Sequence, residues 1–195
     1  MNIGVIFAGG VGKRMNSRVK PKQFIDVYGK PIIIHTLELF ENHPEIDAIA
    51  VACLEDWIPY LQELLEKFNI KKVKKVVPGG ASGQESIYNG LKAAEEIAAG
   101  EKSIVLIHDG VRPLINEKTI TDNIESVKKY GSSITCVKVK ETVLVVGEDN
   151  SIEEFQTVKT HVWHVHHRAF IWMKSLEHTA RQWRKINMTL SIPAL

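Results

Sequence analysis

The chain has 195 residues, 44% of them hydrophobic and 25% charged, within the range of one globular domain with a sizeable core. Its 25 basic and 23 acidic side chains leave a net charge of +2, a balance that gives bulk electrostatics no reason to draw in nucleic acid or an anionic membrane. The start of the chain lacks the basic n-region of a secretory signal, and its apolar run before Ala8 is too short to span a bilayer. A cytoplasmic protein with no membrane partner is therefore expected.

Short apolar runs alternate with longer amphipathic ones. Residues 3–7, 48–52, 73–77, 104–107 and 134–139 predict strands, most of them rich in Val and Ile and bounded by polar or Gly punctuation. Between them, apolar residues three or four apart predict helices to about residue 41 with Pro31 in the first turn, and over 57–68, 86–99 and 117–130. Ser82-Gly83-Gln84-Glu85 has the spacing of a capping box, which places the start of the third helix there. Strands alternating with helices predict an α/β domain with a doubly wound, mostly parallel sheet and helices on both faces. Ligands of such sheets sit at the carboxyl ends of the strands, so the loops after each strand are the first places to search. Cys53 and Cys136 lie far apart with no C-x-x-C spacing, and read as two reduced thiols in the core.

After the first strand comes Ala8-Gly9-Gly10-Val11-Gly12-Lys13-Arg14-Met15. Three glycines let backbone N–H groups approach a phosphate closely, and Lys13 and Arg14 add charge, so the segment reads as a polyphosphate cradle. A Walker A loop is excluded because Phe7 stands five residues before Gly12 and Arg14 follows Lys13. A dinucleotide fingerprint is excluded because Met15 replaces its third glycine. One loop further on, Lys20-Pro21-Lys22-Gln23-Phe24 sets a lysine beside a fixed proline, where its ammonium is held as a point charge.

Together A-G-G-x-G-x-R-M and P-K-Q-F resemble the nucleotidyltransferases that make CDP-sugars and CDP-alcohols, above all the ribitol-5-phosphate and 2-C-methyl-D-erythritol-4-phosphate cytidylyltransferases. Two further segments resemble that family in its own order. Gly79 to Leu91 matches G-G-x-x-x-x-x-S-(I/V)-x-x-G-L, and His108-Asp109-Gly110-Val111-Arg112-Pro113 matches H-D-x-x-R-P. Thr142 after Glu141 matches a shorter (D/E)-T element. The resemblance covers residues 1 to about 154 and implies a Rossmann-like nucleotidyltransferase fold with CTP as one substrate. By the same carry-over Ala8, Gly9, Gly10, Gly12, Gly80 and Ser86 bind CTP, with the backbone and the Ser86 hydroxyl reading the cytosine edge. Arg14 and Lys22 are catalytic at the α-phosphate, Asp109 holds Mg²⁺, and Thr142 and Arg112 bind the acceptor phosphate. A hard oxygen ligand at a strand end beside a triphosphate is what Mg²⁺ asks for. Phe24, the 30–36 run and Gly83-Gln84 favour ribitol 5-phosphate as acceptor over methylerythritol phosphate, with an inactive nucleotide-binding remnant as the third reading.

Beyond Glu154 the family pattern stops. The family continues with an arm to a partner subunit, an A-P-Q-x-F segment that closes the sheet, and a later acidic element, whereas residues 155–195 hold three of the four Trp and five of the eight His. Four of those histidines fall within residues 161–167 without a fixed ligand spacing or a nearby carboxylate, so no metal site is read there. Read one base out of frame, the codons of residues 162–173 can spell Ala-Arg-Ala-Pro-Gln-Ser-Phe, and those of 183–194 an acidic stretch. The expectation is a domain over 1–154 and a tail over 155–195 that is out of frame, lacking the arm, the closing segment and therefore the family's homodimer.

Overall fold

The computed structural model describes residues 1–10, 20–138, 140, 142–156 and 162–172. Strand β1 (Asn2–Ala8) is central, and the chain winds outward from it through α1 (Ile32–Asn42), β4 (Ala48–Cys53), α2 (Ile58–Lys67) and β5 (Val73–Pro78). It then crosses back through α3 (Gly83–Ala98) to β6 (Ser103–Asp109) on the other side of β1, followed by α4 (Glu117–Tyr130) and β7 (Ser132–Lys138). A tight hairpin, β2 (Asp26–Val27) and β3 (Lys30–Pro31), precedes α1, and a longer one, β8 (Val143–Val146) and β9 (Ile152–Gln156), follows β7. The last described strand is β10 (Val162–Trp172).

The main sheet has the order β5-β4-β1-β6-β10-β7. Pairings β1 with β4, β1 with β6 and β4 with β5 are parallel, while β10 runs antiparallel to both β6 and β7. All five strands expected from the sequence are present, and the sheet is doubly wound and mostly parallel as expected. Burial on both faces explains why β4 reads as an unbroken apolar run.

Alternation along β1 and β6 splits the core in two. Ile6, Ala8, Ile104 and Leu106 meet α1, α2 and α4 on one face, and Ile3, Val5, Val105 and Ile107 meet α3 on the other. Gly90 allows the second packing, since a Cβ there would lie 2.6 Å from Val5 Cγ1. Ser82 is the N-cap of α3, its Oγ accepting from the Glu85 N–H at 3.1 Å, so the capping-box reading holds.

Three expectations need correction. Pro31 is the N-cap of α1 and the end of β3 rather than a first-turn residue, because its ψ of 144° is extended. Cys53 is buried, and burial pushes its thiol pKa up to about 12, but Cys136 is exposed. Ser133 and Thr135 of β7 bond to Asn123 of α4, so strand alternation turns Cys136 to the opposite face. The tail was expected to supply no closing strand, yet Val162–Trp172 fill the sheet between β6 and β7. The eleven residues of β10 contain Val, Ile, Phe and Trp and no Gly or Pro, a composition that suits a strand whatever its reading frame.

Candidate active site

The crossover reverses direction at β1, with β4 on one side and β6 on the other, so a crevice opens at the carboxyl ends of these strands. A cavity of about 520 Å³ lies there, walled by the ends of β1, β4 and β6, the turn at Lys22 and Gln23 that precedes β2, and the start of α3. Ala8, Gly9, Gly10, Lys22, Gly80, Ser86 and Asp109 all line it. These seven sequence-predicted residues, more than 100 residues apart at the extremes, therefore share one wall system. Gly12 and Arg14 fall outside the described residues. Arg112 and Thr142 are not among the described lining residues; Thr142 is exposed.

The glycine turn is shaped by backbone packing. A Cβ on Gly9 would stand 2.6 Å from Ser86 Oγ, and one on Gly79 would stand 3.1 Å from Gly9 Cα, so the two loops approach closer than any side chain permits. Ser86 is 2% exposed; its hydroxyl donates to Ser82 O and accepts from the Gly80 N–H, each at 3.0 Å. With its proton spent on Ser82, the Ser86 hydroxyl organises the 79–83 loop and has only acceptor capacity left for a ligand. Glu85 Oε2 accepts from the Ala81 N–H at 2.8 Å, which fixes the same loop from outside.

Lys22 opens a single 3-10 turn, Lys22–Phe24, held at both following residues. Phe24 is fully buried, stacked on Trp57 with centroids 4.9 Å apart and edge-on to Tyr60 at 5.4 Å. Gln23, 2% exposed, donates from Nε2 to Ala8 O at 2.6 Å. Lys22 itself is half-buried on the cavity wall.

Asp109 ends β6 directly beside Phe7 of β1. Its Oδ1 accepts from the Val111 N–H at 3.2 Å and its Oδ2 from Arg112 Nε at 3.3 Å. The loop that follows is tied down from two sides: Thr36 Oγ1 donates to Gly110 O at 3.0 Å, and the buried His108 Nε2–H donates to Arg112 O at 3.0 Å. The Asp109 carboxylate is 20% exposed, so it faces the cavity without being freely solvated. No group of three His, Cys, Asp or Glu that could cage a cation exists among the described residues. A single carboxylate at a phosphate cradle fits Mg²⁺, which takes one or two carboxylates and completes its octahedron with phosphate oxygens and water.

Phe7, Gln23, Leu54, Ala81, Ser82, Gly83 and Val111 also line the cavity and were not assigned a ligand-binding role from the sequence. Gln23 and Val111 sit inside recognised motifs, and Leu54 follows directly on β4, so strand-end position was the available signal. A larger cavity of about 670 Å³ lies between α1 and the 111–117 segment. Its described lining carries Glu38 and Glu117 but no Lys or Arg, so it does not suit a polyphosphate.

Comparison with known proteins points to the cytidylyltransferases. The protein of Streptococcus agalactiae serotype Ia named ribitol-5-phosphate cytidylyltransferase is 58% identical over 154 residues, 79% of this chain and 64% of its own length. The 2-C-methyl-D-erythritol 4-phosphate cytidylyltransferase of Clostridium botulinum strain 657 is 42% identical over 147 residues, 75% of this chain and 62% of its own. The chain thus spans under two thirds of the length of the curated relatives it matches. The crystal structure of the 4-diphosphocytidyl-2C-methyl-D-erythritol synthase of Anaerococcus prevotii superposes with a TM-score of 0.75 at 26% identity, covering 100% of this chain and 77% of that one. The family model described as IspD, 2-C-methyl-D-erythritol 4-phosphate cytidylyltransferase, matches residues 3–189, and the chain belongs to that family.

Proposed function

We propose that the chain is built to transfer a cytidylyl group from CTP to D-ribitol 5-phosphate, giving CDP-ribitol and pyrophosphate. The observation that carries the reading is the convergence of the glycine turn, Lys22, the 79–86 loop and Asp109 on one cavity. The choice of ribitol phosphate over methylerythritol phosphate is supported by the higher identity to the streptococcal relative than to the clostridial one.

In this reading an oxygen of the acceptor phosphate attacks the α-phosphorus of CTP in line, and the bond to the β-phosphate oxygen breaks. No covalent intermediate forms on the protein, whose work is positioning and charge neutralisation. Backbone N–H groups of Gly9 and Gly10 receive the triphosphate, and Lys22, with Arg14, neutralises charge gathering on the α-phosphate. Asp109 would hold Mg²⁺, which spreads the phosphates' negative charge. With the Asp109 carboxylate engaged in that role, its neighbour Arg112 would be available to the acceptor phosphate.

CTP with Mg²⁺ is expected to raise the thermal midpoint more than ATP or GTP does. At one hundred times Kd the gain is about 2.7 kcal/mol, roughly 5–11 °C for a domain of this size. Scanning fluorimetry with the three nucleotides checks this, and equal shifts would remove the cytidine assignment.

We also read residues 155–195 as translated from a shifted frame, with a domain boundary after Glu154. Transfer by the 195-residue chain is then expected to be far slower than by a form with the frame restored, because the shifted residues replace the arm and the following segment that, by the family resemblance, complete the acceptor site. Pyrophosphate release with CTP and ribitol 5-phosphate compares the two forms. A gene with an intact frame and no A-P-Q-x-F coded in either shifted frame would overturn the reading.

A further inference from the structure

We infer that Gln23 is a positioning residue that aims the Gly9 amide at the phosphates and fastens Lys22's turn to it; this rests on reading the cavity as a nucleoside triphosphate site. The Ala8 carbonyl and the Gly9 N–H belong to one peptide plane and point in opposite directions. Whatever fixes the Ala8 oxygen therefore fixes where the Gly9 N–H points. Ala8 is the last residue of β1, and the sheet no longer dictates the path of the chain beyond it. The group on its carbonyl is the Gln23 amide, at 2.6 Å and almost wholly buried.

The same side chain is covalently next to Lys22. Phe24 holds the other end of the turn against Trp57 and Tyr60, so the turn cannot swivel about Gln23 alone. A cation and a backbone donor from separate segments are thus held in a fixed relation by one hydrogen bond. That bond was invisible in the sequence because glutamine in P-K-Q-F reads as an ordinary polar turn residue. A buried amide donor also tolerates no substitute lacking an N–H, since the Ala8 oxygen would lose its partner.

The test measures binding of inorganic tripolyphosphate with Mg²⁺ to the full chain by calorimetry, alongside CTP and ATP and the unliganded thermal midpoint. The variants are Lys22→Ala, Gln23→Met, Gln23→Glu and Lys22→Ala/Gln23→Met. Gln23→Met fills the same space without a donor, and Gln23→Glu is isosteric but places a carboxylate against the Ala8 oxygen. Gln23→Met is expected to weaken tripolyphosphate roughly tenfold, the worth of one well-oriented hydrogen bond. Gln23→Glu weakens it further. In the Lys22→Ala background the Gln23→Met loss falls to less than half that factor, because groups acting as a unit are not additive. An unchanged tripolyphosphate affinity, whether or not the midpoint falls, overturns the assignment, as do equal losses in both backgrounds. If these couplings hold while CTP and ATP bind alike, the cytidine reading fails and the role of Gln23 stands.

Discussion

On the proposed function, Lys22→Ala in a form with the frame restored is expected to lower turnover of CTP and ribitol 5-phosphate by roughly 10²- to 10³-fold, about 3–4 kcal/mol of transition-state stabilisation. The magnitude follows from the residue's setting. Its turn is pinned by Phe24 in an aromatic cluster and by Gln23 on Ala8, so the ammonium is delivered without reorganisation at the moment charge builds. CTP affinity is expected to fall less than turnover, because in this reading the glycine turn and the 79–86 loop would still bind the ground state. Stopped-flow pyrophosphate release together with equilibrium CTP titration separates the two quantities. Near-normal turnover would assign the α-phosphate to Arg14 alone.

Gly9→Ala is the second large effect, and it acts through stability as well as through the site. The new methyl would stand 2.6 Å from Ser86 Oγ and 3.4 Å from Gly79 Cα. Ser86 has no room to yield: it is buried and holds both Gly80 N and Ser82 O. Overpacking of this kind costs about 1–3 kcal/mol, and a domain of this size loses roughly 2–4 °C per kcal/mol. CTP binding falls with it, since the 79–83 loop must shift. Gly83→Ala is the control, because among the described residues nothing lies within 4 Å of its Cβ position and its φ is ordinary. Its midpoint stays level or rises. Thermal melts with and without CTP compare the two, and a Gly9→Ala midpoint equal to that of the parent would show that the loops are not packed against each other.

Much of this was readable before the structure because the decisive features are local. An apolar run such as residues 48–53 is a buried strand wherever it falls in the sheet, and Ser82 with Glu85 caps a helix through bonds spanning three residues. Chain direction then puts Gly9, Gly10 and Asp109 at strand ends, so the cavity's main residues were legible too. What resisted reading depends on partners distant in sequence. Nothing local in residues 162–172 says that they insert between β6 and β7. The β2–β3 hairpin turns on Tyr28 and Gly29, with φ of 50° and 79°, and tyrosine is not a residue that announces a left-handed turn. Cys136 looked like a core thiol because it lies in a predicted strand between Ile134 and Val137, but which face that strand shows to the helix is set by the bonds of Ser133 and Thr135 to Asn123.

The insertion of β10 also sets an order of assembly. Strands β5, β4, β1 and β6 can pair among themselves before any later strand exists, so four of the six strands can condense on the ribosome as soon as β6 has emerged. β7 cannot follow, because its pairing partner in the sheet is β10 alone. At bacterial and eukaryotic synthesis rates the wait for β10 lasts about 2–7 s, during which both β6 and β7 are open edges. The identity of the residues beyond Glu154 therefore decides more than the last strand: it decides how long two unpaired edges are exposed to other nascent chains before they are closed.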